Sequence, residues 1–295
     1  MLQLFKQGVV LPRAATSALL LSALMLVAST AAAQLFSAKQ GAIVYGHHHL
    51  YVTSIPDDKK FFIDALGGKS VKVGTSTAEV VEFPNVFIFF TPQPPTGGTK
   101  GTTVEHISFG VQNLQRLVDK IKTSGFKMIT LSEVAPGPKV KNDIAVLEGN
   151  LSVAYALAPD DLIVEFVEQK RQALPIMLHG LYFENPQNAE MQAWYVKIFG
   201  AHPQSKAVLP SATLPGVVFY FSHSDTPVAP TRGRAIDHIG FEVQNLAEFC
   251  KNLEAQGIKL DSPYRPAPAF NTYTAHFTDP WGTNIELVEG MASLP

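Results

Sequence analysis

The chain repeats itself, and this repetition constrains its fold more than any other feature. Residues 106–114 (HISFGVQNL) and 238–246 (HIGFEVQNL) are nearly the same phrase, 132 residues apart (238 minus 106). Three more pairs of similar segments follow the same order, namely 61–67 with 194–200, 84–90 with 215–221, and 162–168 with 283–289. Self-similarity at a nearly constant spacing indicates one structural unit used more than once. We infer a tandem duplication with its boundary near residues 172–175.

Each copy divides again into two smaller units. In residues 106–111 every second side chain is apolar, and the segment is rich in β-forming residues, which predicts a strand. Asn113 is a helix cap, apolar residues then recur at helical spacing, and Gly125 ends the helix. Short strands follow and end with 162–168. The first half of the copy has the same order and ends with the strand 86–90. The sequence therefore predicts an α+β fold of four βαβββ modules.

The amino-terminal segment has the pattern of a signal peptide over residues 1–33. Lys6 and Arg13 precede a short apolar run at 18–27, and three alanines end at Ala33. The run is shorter than the roughly 20 apolar residues that a membrane-spanning helix needs. We expect an exported protein, periplasmic in a bacterium with two membranes, with no membrane contact after cleavage. An uncleaved amino-terminal anchor is the alternative.

Charge and cysteine content exclude several classes of protein. The chain has 23 Lys and Arg against 25 Asp and Glu, a net charge of −2, so there is no electrostatic reason to expect nucleic acid as a partner. Cys250 is the single cysteine, which excludes an internal disulfide. Its apolar helical surroundings predict a small buried side chain rather than a reactive thiol.

Three segments carry a family resemblance. The phrase HIxFxVQNL before a helix, the segment 186–200 (PQNAEMQAWYVKIFG) and the closing segment 279–289 (DPWGTNIELVE) resemble the vicinal oxygen chelate superfamily of glyoxalases, bleomycin-resistance proteins and extradiol dioxygenases. The resemblance implies two tandem domains, 44–170 and 176–291, each with two modules that curl into an open half-barrel. It also implies that the concave face of each half-barrel is the site.

The family's metal ligands lie on the first strand of each module and on the last strand of the second. By this resemblance His106 and Glu165 match two positions in the first copy, and His238 and Glu286 match them in the second. The remaining ligand must come from each opening strand. The fourth position, which glyoxalase I-like enzymes use, falls in residues 86–90 (VFIFF), where nothing can ligate. This departure favours a three-ligand, dioxygenase-like arrangement.

The opening strand of the first copy contains His47, His48 and His49. Side chains alternate along a strand, and aligning Val52 with Val111 places His47 opposite His106. His47, His49 and Tyr51 then share the concave face, and His48 points away. We take His47 as the third ligand and His49 as its alternative. Two imidazoles and one carboxylate suit a divalent metal such as Fe, Mn, Zn or Ni.

The second copy departs further from the pattern. Its alignment places Leu178 at the His47 position and His179 on the opposite face, so His238 and Glu286 form only a weak metal site. His276, on an adjacent strand, could compensate. We expect this copy to be degenerate and to shape the substrate site.

Two function hypotheses follow from these residues. The first is a metal-dependent enzyme, a dioxygenase or a lyase/isomerase, acting on a small molecule that chelates through vicinal oxygens. Tyr51 and Tyr155 are its candidate acid/base residues, although aromatic residues on strands are more often core. The alternative is a metal-free periplasmic protein that sequesters a small hydrophobic or aromatic ligand. Either way the partner is a small molecule, and no oligomeric state is assigned.

Overall fold

The computed structural model describes residues 40–130, 140–204 and 209–291. The predicted signal peptide, residues 1–33, lies outside these ranges. Within them, no helix has both the length and the apolar content to cross a membrane.

The described chain is a succession of four units, each with a leading strand, a helix and further strands. The first contains β1 (Ile43–Tyr51), α1 (Ile55–Lys59) with a π-helical continuation (Lys60–Ala65), β2 (Lys69–Val71), β3 (Glu79–Phe83) and β4 (Val86–Thr91). The second contains β5 (Val104–Val111), α2 (Leu114–Thr123), β6 (Lys127–Ile129), β7 (Val140–Lys141), β8 (Ile144–Leu147), β9 (Leu151–Ala158) and β10 (Leu162–Glu168).

The third and fourth units repeat this order with fewer strands than the second. The third contains β11 (Ile176–Asn185), α3 (Asn188–Phe199), β12 (His202–Gln204), β13 (Ser211–Leu214) and β14 (Val217–His223). The fourth contains β15 (Ile236–Val243), α4 (Leu246–Ala255), β16 (Leu260–Ala267), β17 (Thr272–Thr278) and β18 (Asn284–Glu289).

Two open sheets collect these strands. The first has the order β16-β17-β18-β15-β1-β4-β3-β2, and the second β12-β13-β14-β11-β5-β10-β9-β8-β7, with β6 paired to β9. Each leading strand lies parallel to the last strand of its own unit, because the helix carries the chain across. The leading strands pair antiparallel at each sheet centre, β1 with β15 and β11 with β5. The α+β class with open sheets is confirmed.

The pairing of units differs from the prediction. Residues 44–170 and 176–291 were expected to form one half-barrel each. Instead, the first unit shares its sheet with the fourth, and the second shares its sheet with the third. Every unit offers a similar leading strand, so pattern alone does not select the partner of β1. The predicted boundaries and the duplication itself stay predictions, but each site is assembled from different units than expected.

Alternation separates a core face from a concave face in each sheet. Ile107, Phe109 and Val111 of β5 enter a large apolar core that also receives Phe183 and Phe241 from other strands. The predicted cap is present, since Asn113 Oδ1 accepts a hydrogen bond from the Arg116 backbone N–H at 3.0 Å. The helices pack with this core through residues such as Val118 and Tyr195. The opposite faces carry the histidines and carboxylates described next.

Candidate metal centre

His47, His238 and Glu286 meet at the centre of the first sheet. One ligand atom from each residue lies within 4.8 Å of the others. Oε2 of Glu286 lies 2.9 Å from Nε2 of His47 and 3.2 Å from Nε2 of His238. His47 stands on β1, His238 on β15 and Glu286 on β18, three strands adjacent in the sheet. Two imidazoles and a carboxylate therefore converge on one point.

The side chains of the three consecutive histidines of β1 alternate between the two faces of the sheet, as predicted. His47 and His49 line a cavity on the concave face. His48 is fully buried on the other side, where Nδ1 lies 2.8 Å from the hydroxyl of Tyr45. Burial, followed by the neighbouring His47, lowers the pKa of His48 to about 3, so its ring is neutral. His48 is therefore a core residue.

His49, the alternative ligand, lies beside the centre rather than in it. It is the cross-strand partner of His238, and the two ring centroids are 4.4 Å apart. Its Nε2 is 2.6 Å from the hydroxyl of Thr91, so that nitrogen is engaged with Thr91 rather than with Glu286. His49 thus packs against a ligand and fixes its position.

An acidic residue immediately before His238 orients its ring. Oδ2 of Asp237 lies 2.8 Å from Nδ1 of His238, which leaves Nε2 facing Glu286. Burial lowers the pKa of His238, but the hydrogen bonds to Asp237 and Glu286 outweigh it and raise the pKa to about 9. A carboxylate behind a ligating imidazole fixes its orientation and raises its basicity. The sequence signal was present, since both HIxFxVQNL phrases follow an acidic residue, Glu105 or Asp237.

Glu286 is anchored through its other oxygen. Oε1 accepts a hydrogen bond from the Thr274 hydroxyl at 2.6 Å and lies 3.3 Å from Nε2 of His276. Burial raises its pKa, yet the bonds from His238, His276 and His47 prevail and hold the pKa well below the usual value. Glu286 is therefore an ionised carboxylate with Oε2 directed at the two ligand histidines. His276, expected only to compensate for a missing ligand, is its cross-strand partner.

A cavity of about 260 Å³ opens onto this cluster. Its wall is largely apolar and includes Val73, Phe89, Phe270, Val288 and Met291. Two loops meet at its rim, where the backbone N–H of Thr75 donates to the carbonyl of Ala269 at 2.8 Å. Gly74 has φ +58°, and a β-carbon there would overlap this carbonyl. The contact requires glycine at that position.

The fourth possible ligand position holds a phenylalanine. Glu286 pairs with Gly240, two residues after His238, and Phe89 pairs with His49, two residues after His47. Phe89 thus occupies in the first unit the place that Glu286 has in the fourth. The expectation that residues 86–90 contribute no ligand agrees with this position, and the cluster has three protein ligands.

The predicted grouping of His47 with His106 and Glu165 is wrong, because these residues lie on different sheets. His106 is on β5 and Glu165 on β10, both in the second sheet. Tyr155 accompanies them, and its hydroxyl donates to Oε1 of Glu165 at 2.9 Å. Tyr51 is half-buried at the end of β1 and is not among the residues that line the cavity. The pair taken as weak, His238 and Glu286, is the pair that joins His47.

The counterpart of His47 in the second sheet is Gly180, not Leu178. His47 pairs with Gly240 and His49 with His238, while Gly180 pairs with Ser108 and Tyr182 with His106. A bulge between Leu178 and Gly180 shifts the register and turns His179 toward Tyr220, whose hydroxyl lies 3.0 Å from Nε2 of His179. β1 has a bulge at the equivalent place, between Tyr45 and His47, so the predicted alignment was displaced by two residues and placed Leu178 where Gly180 stands.

A model of a known protein family matches the later part of the chain. Residues 186–287 match the family model described as Glyoxalase/Bleomycin resistance protein/Dioxygenase superfamily. This part of the chain belongs to that superfamily. The match begins after β11, covers the rest of the third unit and most of the fourth, and includes His238 and Glu286. A comparison with curated protein sequences finds no match.

Solved structures extend the similarity to most of the chain. Glyoxalase I from Zea mays is 17% identical, with a TM-score of 0.65 over 85% of this chain and 94% of that one. A putative dioxygenase from Bacillus subtilis is 13% identical, with a TM-score of 0.61 over 83% of this chain and 84% of that one. At these identities the similarity establishes a shared fold, and the chemistry must be argued from the site.

Proposed function

We propose that this protein is a metal-dependent enzyme of the glyoxalase/dioxygenase superfamily that acts on a small substrate chelating through neighbouring oxygens. The observation that carries the proposal is the cluster of His47, His238 and Glu286, of which His47 and Glu286 line a cavity. Two imidazoles and one carboxylate on neighbouring strands match the ligand set that binds divalent metals while leaving positions for substrate.

The donor set fits a divalent cation on its own chemistry. Nδ1 of His47 is buried without a hydrogen-bond partner, and Nε2 is the atom that meets Glu286. Asp237 fixes His238, and Thr274 fixes Glu286, so the ligands are held by the fold before any ion arrives. Bound there, a metal such as Fe, Mn, Zn or Ni would supply Lewis-acid chemistry, with oxygen activation in the case of iron.

The remaining residues select and orient the substrate. Phe89 and Phe270 pack with ring centroids 5.9 Å apart and give the cavity an apolar wall beside the ligands. A cavity of about 260 Å³ admits a compact molecule. His276 lines the cavity and bonds Glu286, so it is the group placed to accept or return a substrate proton. We assign the reaction to the dioxygenase or lyase/isomerase classes.

A metal-free binding protein is the second candidate, and the apolar wall favours it. Nine of the residues that line the cavity have apolar side chains, which would suit a small hydrophobic or aromatic ligand without any metal. In both cases we propose that the protein acts after export, as its amino-terminal sequence predicts.

Metal content separates the two candidates. Protein purified without a histidine tag should carry close to one equivalent of a transition metal that is lost in His47→Ala, His238→Ala and Glu286→Gln. The exposed His223 provides the control, since His223→Ala should leave the metal unchanged. If these three ligand variants hold as much metal as the wild type, the enzyme proposal fails. A metal-free wild type that still binds aromatic ligands would favour the binding protein.

A further inference from the structure

One guanidinium lines the cavity beside the metal cluster. Among the described residues, the lining contains three histidines, one carboxylate, Glu286, and one guanidinium, Arg265. Glu286 is already engaged by the two ligand histidines and by the Thr274 hydroxyl. An arginine is charged at every physiological pH. Arg265 is therefore the permanent positive charge that a molecule in this cavity meets.

Strand register places the side chain of Arg265 on the concave face. Arg265 of β16 is the cross-strand partner of Thr274 of β17, and directly opposed residues share a face. The Thr274 hydroxyl donates to Oε1 of Glu286 at 2.6 Å, so Arg265 lies across β17 from that carboxylate. Neighbouring strands are roughly 4.8 Å apart, which puts β16 roughly 10 Å from β18. A compact molecule can span this distance.

Within residues 40–130, 140–204 and 209–291, the terminal nitrogens of Arg265 have no partner. Its Nε donates to Oγ of Ser262 at 3.0 Å, and this bond restricts where the rest of the guanidinium lies. The side chain is exposed, so a ligand can reach it. A guanidinium with both terminal nitrogens available binds a carboxylate through two parallel hydrogen bonds.

Hydrocarbon covers most of the cavity between the guanidinium and the cluster. Nine of the lining residues have apolar side chains, and the rings of Phe89 and Phe270 contact each other with centroids 5.9 Å apart. A ligand therefore meets three kinds of surface, namely metal-binding groups, an apolar wall and a cation. A molecule complementary to all three has neighbouring oxygens, an apolar body and an anionic group.

We propose that the substrate is a carboxylic acid with an apolar or aromatic body, whose carboxylate pairs with Arg265 while its neighbouring oxygens face the cluster. This inference rests on the proposed function and adds the chemical class of the substrate. Arg265 acts as a specificity-determining residue, because it binds the charge of the substrate and takes no part in holding the metal.

A matched pair of probes tests this assignment. Protocatechuate has two neighbouring hydroxyls and a carboxylate across an aromatic ring, and its carboxamide has the same shape without the charge. Isothermal titration of the cobalt(II)-loaded protein at neutral pH measures both affinities. The ratio of the acid's affinity to the amide's should fall about 10-fold in Arg265→Gln, because one charge-assisted hydrogen-bonded pair is lost. Comparing this ratio between proteins cancels any difference in oxygen basicity between the probes.

Two further variants separate the guanidinium from charge in general. Arg265→Lys keeps the charge but loses the two parallel hydrogen bonds, so its ratio should lie between those of the wild type and Arg265→Gln. Arg116→Gln removes an exposed arginine on α2, away from the cavity, and should leave the ratio unchanged. Cobalt content and affinity for the amide should be the same in Arg265→Gln as in the wild type. An unchanged ratio in Arg265→Gln would overturn the proposal, as would a wild type that binds neither probe.

His47→Ala, incubated with the same cobalt(II), distinguishes this proposal from the proposed function. It should weaken both probes alike, because both present the same two oxygens to the cluster. If His47→Ala changes neither affinity while Arg265→Gln still lowers the ratio, the metal centre is refuted and the specificity for acids stands. If His47→Ala weakens both probes but Arg265→Gln leaves the ratio unchanged, the metal centre stands and the specificity for acids is refuted.

Discussion

The imidazole of His47 lies against the Cα of Gly240, where any β-carbon would overlap the ring. The two residues are cross-strand partners on β1 and β15. In the second sheet the same pair is Gly180 and Ser108, so the glycine has changed strands. In each sheet the residue opposite the larger side chain is glycine. The ligand position on β1 therefore depends on a residue that binds nothing.

Gly240→Ala should weaken metal binding without unfolding the protein. The added methyl group would displace the His47 ring from Glu286, and a misplaced ligand cannot fill its coordination position. We expect the metal affinity to fall at least ~10-fold, the scale of changes that reorient a ligand. Isothermal titration of the metal-free variants measures it. Gly46→Ala is the matched control, because a β-carbon there meets its nearest neighbours at ordinary distances of 3.4 Å or more. Equal affinities in both variants would contradict the steric argument.

Adjacent histidines of β1 should separate metal binding from stability. His47→Ala should abolish metal binding at the cluster of His47, His238 and Glu286. His48→Ala should leave metal affinity within about two-fold but lower the free energy of unfolding by roughly 1–3 kcal/mol, because it opens a cavity and removes the partner of the Tyr45 hydroxyl. Metal titration and urea unfolding of both variants test this. Loss of metal in His48→Ala would mean that the strand has the opposite register.

The sequence predicted the elements of the fold better than their assembly. The phrase at 106–114 indicated a strand, the Asn113 cap and a helix, and all three are present. These features are local and depend on side-chain period and capping. The pairing of β1 with β15 is a choice among three similar leading strands, β5, β11 and β15. It depends on contacts between distant segments, so local pattern does not determine it.

The candidate site was predicted in its residue types but not in its grouping. His47, Glu286 and the alternation that excludes His48 all came from the sequence. The error was to combine residues within one copy, which separated His47 from His238. The alignment of β11 was two residues out because a shift of two leaves the alternation of side chains between the faces of a strand unchanged. The spacing of 133 between the two aligned helices, if applied to the strand, would have identified Gly180.

Asp237→Asn should weaken metal binding at the cluster of His47, His238 and Glu286. The amide accepts a weaker hydrogen bond from Nδ1–H of His238 than the carboxylate does. The imidazole of His238 therefore loses its orientation and part of its basicity. We expect an affinity loss of about 10- to 100-fold for the metal at His47, His238 and Glu286. Glu105→Gln makes the same change behind His106 in the second sheet. Competition titration with a chromophoric chelator should show an unchanged metal affinity in Glu105→Gln, and a loss of affinity in that variant would mean that the two sheets are coupled.

Asp58 should make the stability of the protein fall as pH rises. This carboxyl on α1 is 1% exposed, and its Oδ2 has no hydrogen-bond partner. Burial, then the charges of Asp160 and Asp57, raise its pKa to about 8. An unfolded aspartate titrates near ~3.9. Because the folded pKa is the higher one, the folded state binds the proton more tightly. The resulting stability is complete below about pH 4 and is lost as pH rises through 8.

Asp58→Asn should therefore match the wild type near pH 4 and exceed its free energy of unfolding by at least ~1 kcal/mol at pH 9. Urea unfolding at several pH values measures the difference, with Asp64→Asn as the exposed control on the following helical turn. A constant difference between Asp58→Asn and the wild type across this range would show that the carboxyl is already ionised in the folded protein.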